Sequence, residues 1–157
     1  MKDVRDQTVG ELYDTIVGKP AVVVKGDVLK TAVDAMIANP ISQKVYIVDK
    51  KGKLLGMISM NGLLEQVGYR VGTRKIGIVS WMKFLHDLLE ENVELFMKKP
   101  ISIQKNDMIT QALKKMLDEN LNDLPVIDEN GLLLGELNGL EILTAARGLF
   151  QEKLKEP

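Results

Sequence analysis

Apolar and polar positions along this chain pass through one pattern twice. Val45–Val48 is a continuous run of β-branched and aromatic residues, which predicts a short buried strand. Asp49-Lys50-Lys51-Gly52 predicts a turn, with Gly52 free to take a positive φ. Leu54–Ser59 reads as the returning strand, with Gly56 where only a small residue leaves room, and Asn61-Gly62 leads into an apolar helix start. Leu124–Leu143, LPVIDENGLLLGELNGLEIL, repeats each step of Lys44–Leu64, KVYIVDKKGKLLGMISMNGLL. Asp49 and Asp128, Gly52 and Gly131, and Gly56 and Gly135 all stand 79 positions apart. Upstream, Asp27 and Asp107, Ala32 and Ala112, and Met36 and Met116 stand 80 apart, as do Pro20 and Pro100. Repeat 1 therefore has one more residue between its long helix and its second strand. Each repeat reads strand, helix, strand, strand, helix, with a short helix in front.

The remaining periodicities fill in around these blocks. Thr8 with Glu11 forms a capping-box pair opening a short helix, with Val9, Leu12, Tyr13 and Ile16 on its apolar side. Ala21–Val24 predicts a strand. Asp27 is the expected N-cap of a helix over Val28–Ala38, which Asn39-Pro40 stops. A helix over Gly62–Val67 gives way to Gly68–Gly77, an irregular stretch holding the cations Arg70, Arg74 and Lys75. Ser80–Glu91 places Trp81, Phe84, Leu85, Leu88 and Leu89 on one helical face. Asn92–Lys98 repeats the short leading helix, Ile101–Ile103 is a strand, Asp107 caps Met108–Glu119, and Leu140–Leu149 is the last helix. The ends, Met1–Gln7 and Gln151–Pro157, are polar.

A proline and short strand, an acidic residue before an Ala-containing helix, then a PVVD-turn-Gly hairpin running into a helix: this order resembles the CBS domain, which normally occurs as a tandem pair. The resemblance covers residues 8–67 as repeat 1 and 92–149 as repeat 2, with 68–91 as a connector. It implies an α/β (α+β) fold in which two CBS repeats, β-α-β-β-α each, pack as a pseudo-two-fold pair. It further implies a free-standing regulatory module that binds an adenosine-containing ligand in a cleft between the repeats. AMP, ATP, ADP and S-adenosylmethionine are the candidate regulatory ligands, and no cofactor is required. The alternative is a ligand-free scaffold for protein–protein interaction or dimerisation. Family pairs commonly dimerise through their helices, so a homodimer and an unknown protein partner are expected.

The resemblance also says where a ligand would sit. Backbone of the first strands, here Val22, Val23, Ser102 and Ile103, would hold adenine beside apolar residues such as Pro125. A hydroxyl-x-x-acid element at the last strand–helix junction would hold the ribose diol, because a carboxylate accepts from both hydroxyls. A basic residue before the second strand would meet phosphate. In repeat 1 that element reads Ser59-Met60-Asn61-Gly62, keeping the hydroxyl and losing the acid, with Lys44 at the basic position. In repeat 2 it reads Asn138-Gly139-Leu140-Glu141, keeping an acid, with Asp123 where a cation would stand. Glu141 is the expected diol acceptor, and its site should favour adenosine-like ligands that lack phosphate or carry a cationic tail. Arg70, Arg74 and Lys75 are candidate phosphate contacts.

Composition narrows the classes. The 157 residues are 45% hydrophobic, which suits an ordinary soluble core. A half of about sixty residues is marginal alone, so the repeats are expected to pack together and unfold together. A net charge of −1 gives no global attraction to nucleic acid or to an anionic membrane. No cysteine is present, which removes disulfide and thiolate chemistry. No apolar run is long enough for a membrane span and the N-terminal residues lack a signal-peptide core, so a cytoplasmic protein is expected. The single histidine, His86, stands beside Asp87 with no nucleophile or ligand partner spaced to meet it, and reads as structural. No metal-ligand spacing or phosphate loop occurs, so no catalytic residue, no metal site and no enzyme activity are expected.

Overall fold

The structure, a computed structural model, describes residues 3–72 and 77–153, with side chains described as far as Gly148. It is a mixed α/β fold with two three-stranded sheets. In the first, β1 (Val22–Val24) pairs in parallel with β2 (Lys44–Val48), and β2 pairs antiparallel with β3 (Leu54–Ser59). In the second, β4 (Ile103–Gln104) is parallel to β5 (Asp123–Ile127), which is antiparallel to β6 (Leu133–Asn138). The helices are α1 (Leu29–Ala38), α2 (Met60–Val71), α3 (Ile78–Leu89), α4 (Ile109–Asp118) and α5 (Gly139–Lys153).

The two hairpins are built alike. The Asp49 carboxylate accepts the N–H groups of Lys51 and Lys53 at 2.8 and 2.9 Å, and Asp128 accepts those of Asn130 and Leu132 at the same two distances. Gly52 and Gly131 sit at φ 87° and 81°, the left-handed geometry that favours glycine. Hydrogen bonds, that from Lys53 foremost, hold the Asp49 carboxyl below its ordinary range. Each hairpin also shifts register at the same place, between Ile47 and Val48 and between Val126 and Ile127.

Several boundaries differ from the sequence expectation. Asp27 and Asp107 do not cap their helices. They fold back to accept the N–H of Val24 and Gln104, both at 2.9 Å, and Val28 and Met108 hold the N-cap positions. The helix after β3 begins at Met60 and continues through Gly68 to Val71, ending at Gly72 with φ 60°. Arg70 is thus helical, not part of an irregular stretch. β4 starts two residues later than expected. In the first sheet the Tyr46 N–H bonds the Ala21 carbonyl at 3.0 Å. Its counterpart in the second sheet is Pro125, which has no N–H to give, so pairing begins only at Ile103.

The repeats seen in sequence and the compact units seen in space are offset. Residues 20–100 form one unit; residues up to Lys19 together with those from Ile101 onward form the other. We call them the repeat-1 unit and the repeat-2 unit. Each leading segment therefore belongs with the sheet of the other repeat. Val93 and Phe96, which precede repeat 2, are buried in the core of the repeat-1 unit with Val23, Leu29, Ala32, Val45, Ile58 and Leu88. Val9, which precedes repeat 1, is buried in the repeat-2 core with Ile103, Ile109, Leu124, Val126 and Leu137. The backbone repeats this exchange bond for bond. Val93 N–H donates to the Asp27 carbonyl at 2.9 Å and Leu29 N–H to Glu91 at 2.8 Å; Val9 donates to Asp107 at 2.8 Å and Ile109 to Gln7 at 3.0 Å.

Candidate functional site

The strand–helix junctions at β3–α2 and β6–α5 carry most of the polar residues singled out above. In the repeat-1 unit, Lys44 opens β2 directly opposite Ser59, the last residue of β3. Ser59 caps α2, its hydroxyl accepting the Gly62 N–H at 3.1 Å. Gly62, where an acid would stand in the family pattern, has the Lys98 Nζ 3.8 Å from the position of an added Cβ. Lys98 arrives there because its backbone pairs with β3: the N–H groups of Met57 and Lys98 each donate to the other's carbonyl at 2.9 Å. Gly56 is obligatory beside this pairing, since a Cβ on it would lie within 3 Å of three side-chain atoms of Met97.

In the repeat-2 unit the same junction is acidic and closed. Asp123 opens β5 opposite Asn138 and both are buried. Asn138 accepts the Leu140 N–H at 2.8 Å, which starts α5. Glu141 is 1% exposed. One of its carboxylate oxygens accepts the Asn138 N–H at 2.9 Å; the other accepts the N–H groups of Ile16 and Val17 at 3.1 and 3.4 Å. The residue expected to accept a ribose diol thus already accepts three backbone donors, two of them from the leading segment. Asp14, in left-handed conformation at φ 54°, accepts the Glu136 N–H at 2.9 Å and donates its own N–H to the Glu136 carbonyl at 3.2 Å. Burial raises the Asp14 carboxyl above its ordinary range and the nearby Glu141 charge adds to this, against the Glu136 N–H and Lys19, which lower it.

The other expected site residues are dispersed through both units. Val22 is exposed on β1 and Val23 is buried in the core. Ile103 is buried, the Ser102 carbonyl accepts Lys115 Nζ at 2.8 Å, and Pro125 is buried within β5. Arg70 is committed within its unit: both Glu91 carboxylate oxygens accept from it at 2.7 Å, and its guanidinium lies 4.9 Å from the centre of the Phe96 ring. Arg74 and Lys75 lie outside the described residues. Lys98 and Asp14 were missed in sequence. Their signal was an 84-residue offset between the leading segments, distinct from the 80 and 79 of the blocks that follow, visible once Val9 and Val93 are matched.

Among the described residues no group of three His, Asp or Glu side chains could hold a metal ion, and no helix is long and apolar enough to cross a membrane.

Comparison with known proteins agrees with this architecture. The sequence profile of the CBS domain matches residues 9–69 and 92–148. An uncharacterized protein of Methanopyrus kandleri is 28% identical over 88% of the chain, which spans 62% of that protein's length. The crystal structure of a CBS domain-containing protein of Thermotoga maritima is 30% identical, with a TM-score of 0.68 over 88% of this chain and 93% of that one. CBSX2, solved in complex with AMP, shares the fold at 20% identity and a TM-score of 0.67, over 90% of this chain and 97% of its own.

Proposed function

Because the chain belongs to the CBS domain family, whose members are generally regulatory rather than catalytic, we propose that it is a cytoplasmic, non-catalytic regulatory module that binds an adenosine-containing ligand. The observation that carries the reading is the pair of matched strand–helix junctions, each equipped with polar and charged side chains at the places the family uses. Ser59 and Lys44 are the proposed polar contacts at the repeat-1 junction; at the repeat-2 junction a ligand would reach Asn138 and Glu141 only by displacing the Ile16 and Val17 N–H groups from the carboxylate. Val22, Val23, Ser102, Ile103 and Pro125 are the proposed adenine surroundings. The AMP complex of CBSX2, a protein of the same fold, supports an adenine nucleotide as ligand. Binding would act on a partner by favouring one packing of the chain over another, to the extent that the ligand prefers that packing.

Thermal unfolding with AMP, ADP, ATP and S-adenosylmethionine tests the reading, alongside native mass spectrometry of the purified protein. A ligand that binds only the folded state raises the melting temperature; at a hundredfold excess over Kd it adds about 2.7 kcal/mol. A melting temperature unmoved by millimolar concentrations of all four, with no retained nucleotide in the mass spectrum, would reject it.

One observation favours the scaffold reading. α3 leaves Ile78, Val79 and Met82 between 65% and 78% exposed, an apolar face opposite the Phe84 and Leu88 side that packs on the core. Homodimerisation through this face predicts a dimer by light scattering at about tens of micromolar. A monomer that Met82→Glu leaves unchanged in solubility and mass would remove it.

A further inference from the structure

The two leading segments part company where each runs on toward the next strand. Lys98 and Met57 exchange backbone hydrogen bonds in both directions, at 2.9 Å each. Asp14 holds the matching place beside Glu136, and Met57 and Glu136 are themselves 79 apart. The Asp14 N–H donates to the Glu136 carbonyl at 3.2 Å, but the return bond from the Glu136 N–H goes to the Asp14 carboxylate, at 2.9 Å. With φ 54° at Asp14 the chain turns off the strand edge, and the side chain takes the donor that a backbone carbonyl takes in the repeat-1 unit.

The chain then takes six positions from Asp14 to Pro20, against two from Lys98 to Pro100. The four extra residues are Thr15, Ile16, Val17 and Gly18. Without them Tyr13-Asp14 would run into Lys19-Pro20 as Met97-Lys98 runs into Lys99-Pro100, so the insertion is not needed for the connection. Specific bonds hold it all the same. The Thr15 hydroxyl donates to the Leu12 carbonyl at 2.7 Å, and Ile16 and Val17 donate to one oxygen of Glu141. Gly18 takes φ 74°, so a left-handed residue stands at each end of the held stretch. Ile16 is 51% exposed and is no part of the core, so the stretch can lift away without unpacking the unit.

The insertion and the carboxylate occur in the same unit. The repeat-1 unit has Gly62 in place of Glu141 and no insertion after Lys98. A carboxylate holds a diol by accepting from both hydroxyls; here two backbone N–H groups fill the same oxygen. Resting on the ligand-binding reading above, we propose that Thr15–Gly18 is an autoinhibitory strap: strap and ligand compete for Glu141, and release of the strap is the switching event. The strap ends at Gly18, and Pro20 is the first residue of the repeat-1 unit. Its release therefore loosens the chain that connects the two units, which gives ligand binding at one junction a route to the rest of the molecule. The competition is reciprocal: whatever pulls the strap from Glu141 strengthens ligand binding by the factor by which the ligand favours the released strap.

Adenosine, which carries the diol without phosphate, tests this by nuclear magnetic resonance titration of the full chain. The Asn138 and Leu140 amides report on the repeat-2 junction, and those of Ser59 and Gly62 on the repeat-1 junction. Two variants release the strap without altering Glu141. One deletes Thr15–Gly18 and so reproduces the spacing of Lys98 to Pro100. The other, Ile16→Pro with Val17→Pro, keeps the length and removes both donors, since proline has no N–H. Circular dichroism checks the fold of each. Hydrogen bonds to a charged group are the stronger kind, and a closed strap weakens apparent affinity by the fraction of chains left open. The midpoint at Asn138 and Leu140 should therefore fall about tenfold or more in both variants, while that at Ser59 and Gly62 stays where it is. In the parent, saturating adenosine should speed hydrogen exchange at the Ile16 and Val17 amides, which binding elsewhere does not do. Equal midpoints at Asn138 and Leu140 in all three proteins, or unchanged exchange at Ile16 and Val17 in the saturated parent, would overturn the strap and leave the adenosine reading standing. Adenosine that moves no resonance in any of the three would reject the adenosine reading and, with it, the competition for Glu141.

Discussion

Glu141 offers the sharpest test of the structure, because its carboxylate is buried and fully engaged. Glu141→Ala leaves three N–H groups, those of Ile16, Val17 and Asn138, without their acceptor. A buried donor left unsatisfied costs about 1–3 kcal/mol. The Asn138 N–H lies inside the unit, but Ile16 is half exposed, so water recovers part of the cost at Ile16 and Val17. Removing a buried charge next to Asp14 also relieves repulsion and desolvation. The net loss should be about 2–4 kcal/mol for Glu141→Ala. Glu141→Gln keeps one accepting oxygen and turns an NH2 group toward one side, so about 1–2 kcal/mol is expected. Urea unfolding followed by far-ultraviolet circular dichroism measures both. With a slope of roughly 2 kcal/mol/M, the alanine variant shifts the midpoint by about 1–2 M. Hydrogen exchange supplies the local readout: the Ile16 and Val17 amides should lose protection in both variants while those of β2 keep theirs. A stability change under about 0.5 kcal/mol for Glu141→Ala, with unchanged exchange at Ile16 and Val17, would show that the carboxylate does not hold the leading segment.

Two other outcomes follow from the same contacts. Partial burial holds the Asp14 carboxyl above its ordinary range, so the folded state binds its proton more tightly than the unfolded chain does. Its charge therefore costs stability above the folded pKa, and the cost fades as pH falls toward the unfolded value of about 3.9. Asp14→Asn keeps the acceptor for the Glu136 N–H and tolerates the positive φ, so it should stabilise the protein at neutral pH and lose that advantage near pH 4, about where the unfolded carboxyl titrates; equal stability difference at both pH values would refute the charge argument. The exchange of leading segments makes a second statement, about fragments. Residues 20–100 carry α3, Val93, Phe96 and the Lys98 pairing, whereas residues 1–72 lack all of them. The fragment 20–100 should show cooperative thermal unfolding and dispersed amide resonances, and the fragment 1–72 neither; a cooperative 1–72 with a disordered 20–100 would reverse the assignment of the cores.

The chain by itself determined what depends on neighbours in sequence. The two hairpins were legible because Asp49 and Asp128 bond N–H groups two and four residues away, and Gly52 and Gly131 meet a backbone requirement at their own positions. Inward faces of the helices were legible through periodicity, as with Ala32 and Met36 on α1 and Ala112 and Met116 on α4. The expected caps at Asp27 and Asp107 went elsewhere because a turn three residues upstream offered the same carboxylates a competing N–H. Tertiary structure alone decided which core each leading segment joined, since a valine at position 9 or 93 is equally apolar toward either sheet. It also decided the employment of Glu141. The donors that reach it from Ile16 and Val17 are backbone N–H groups, which nearly every residue carries, so no side-chain identity 125 positions away announces the contact. The meeting of Lys98 with Gly62 has the same origin: a strand pairing of Met57 with Lys98 puts an ammonium where repeat 2 has a carboxylate, and strand pairing across 41 residues is fixed by the packed sheet, not by local sequence.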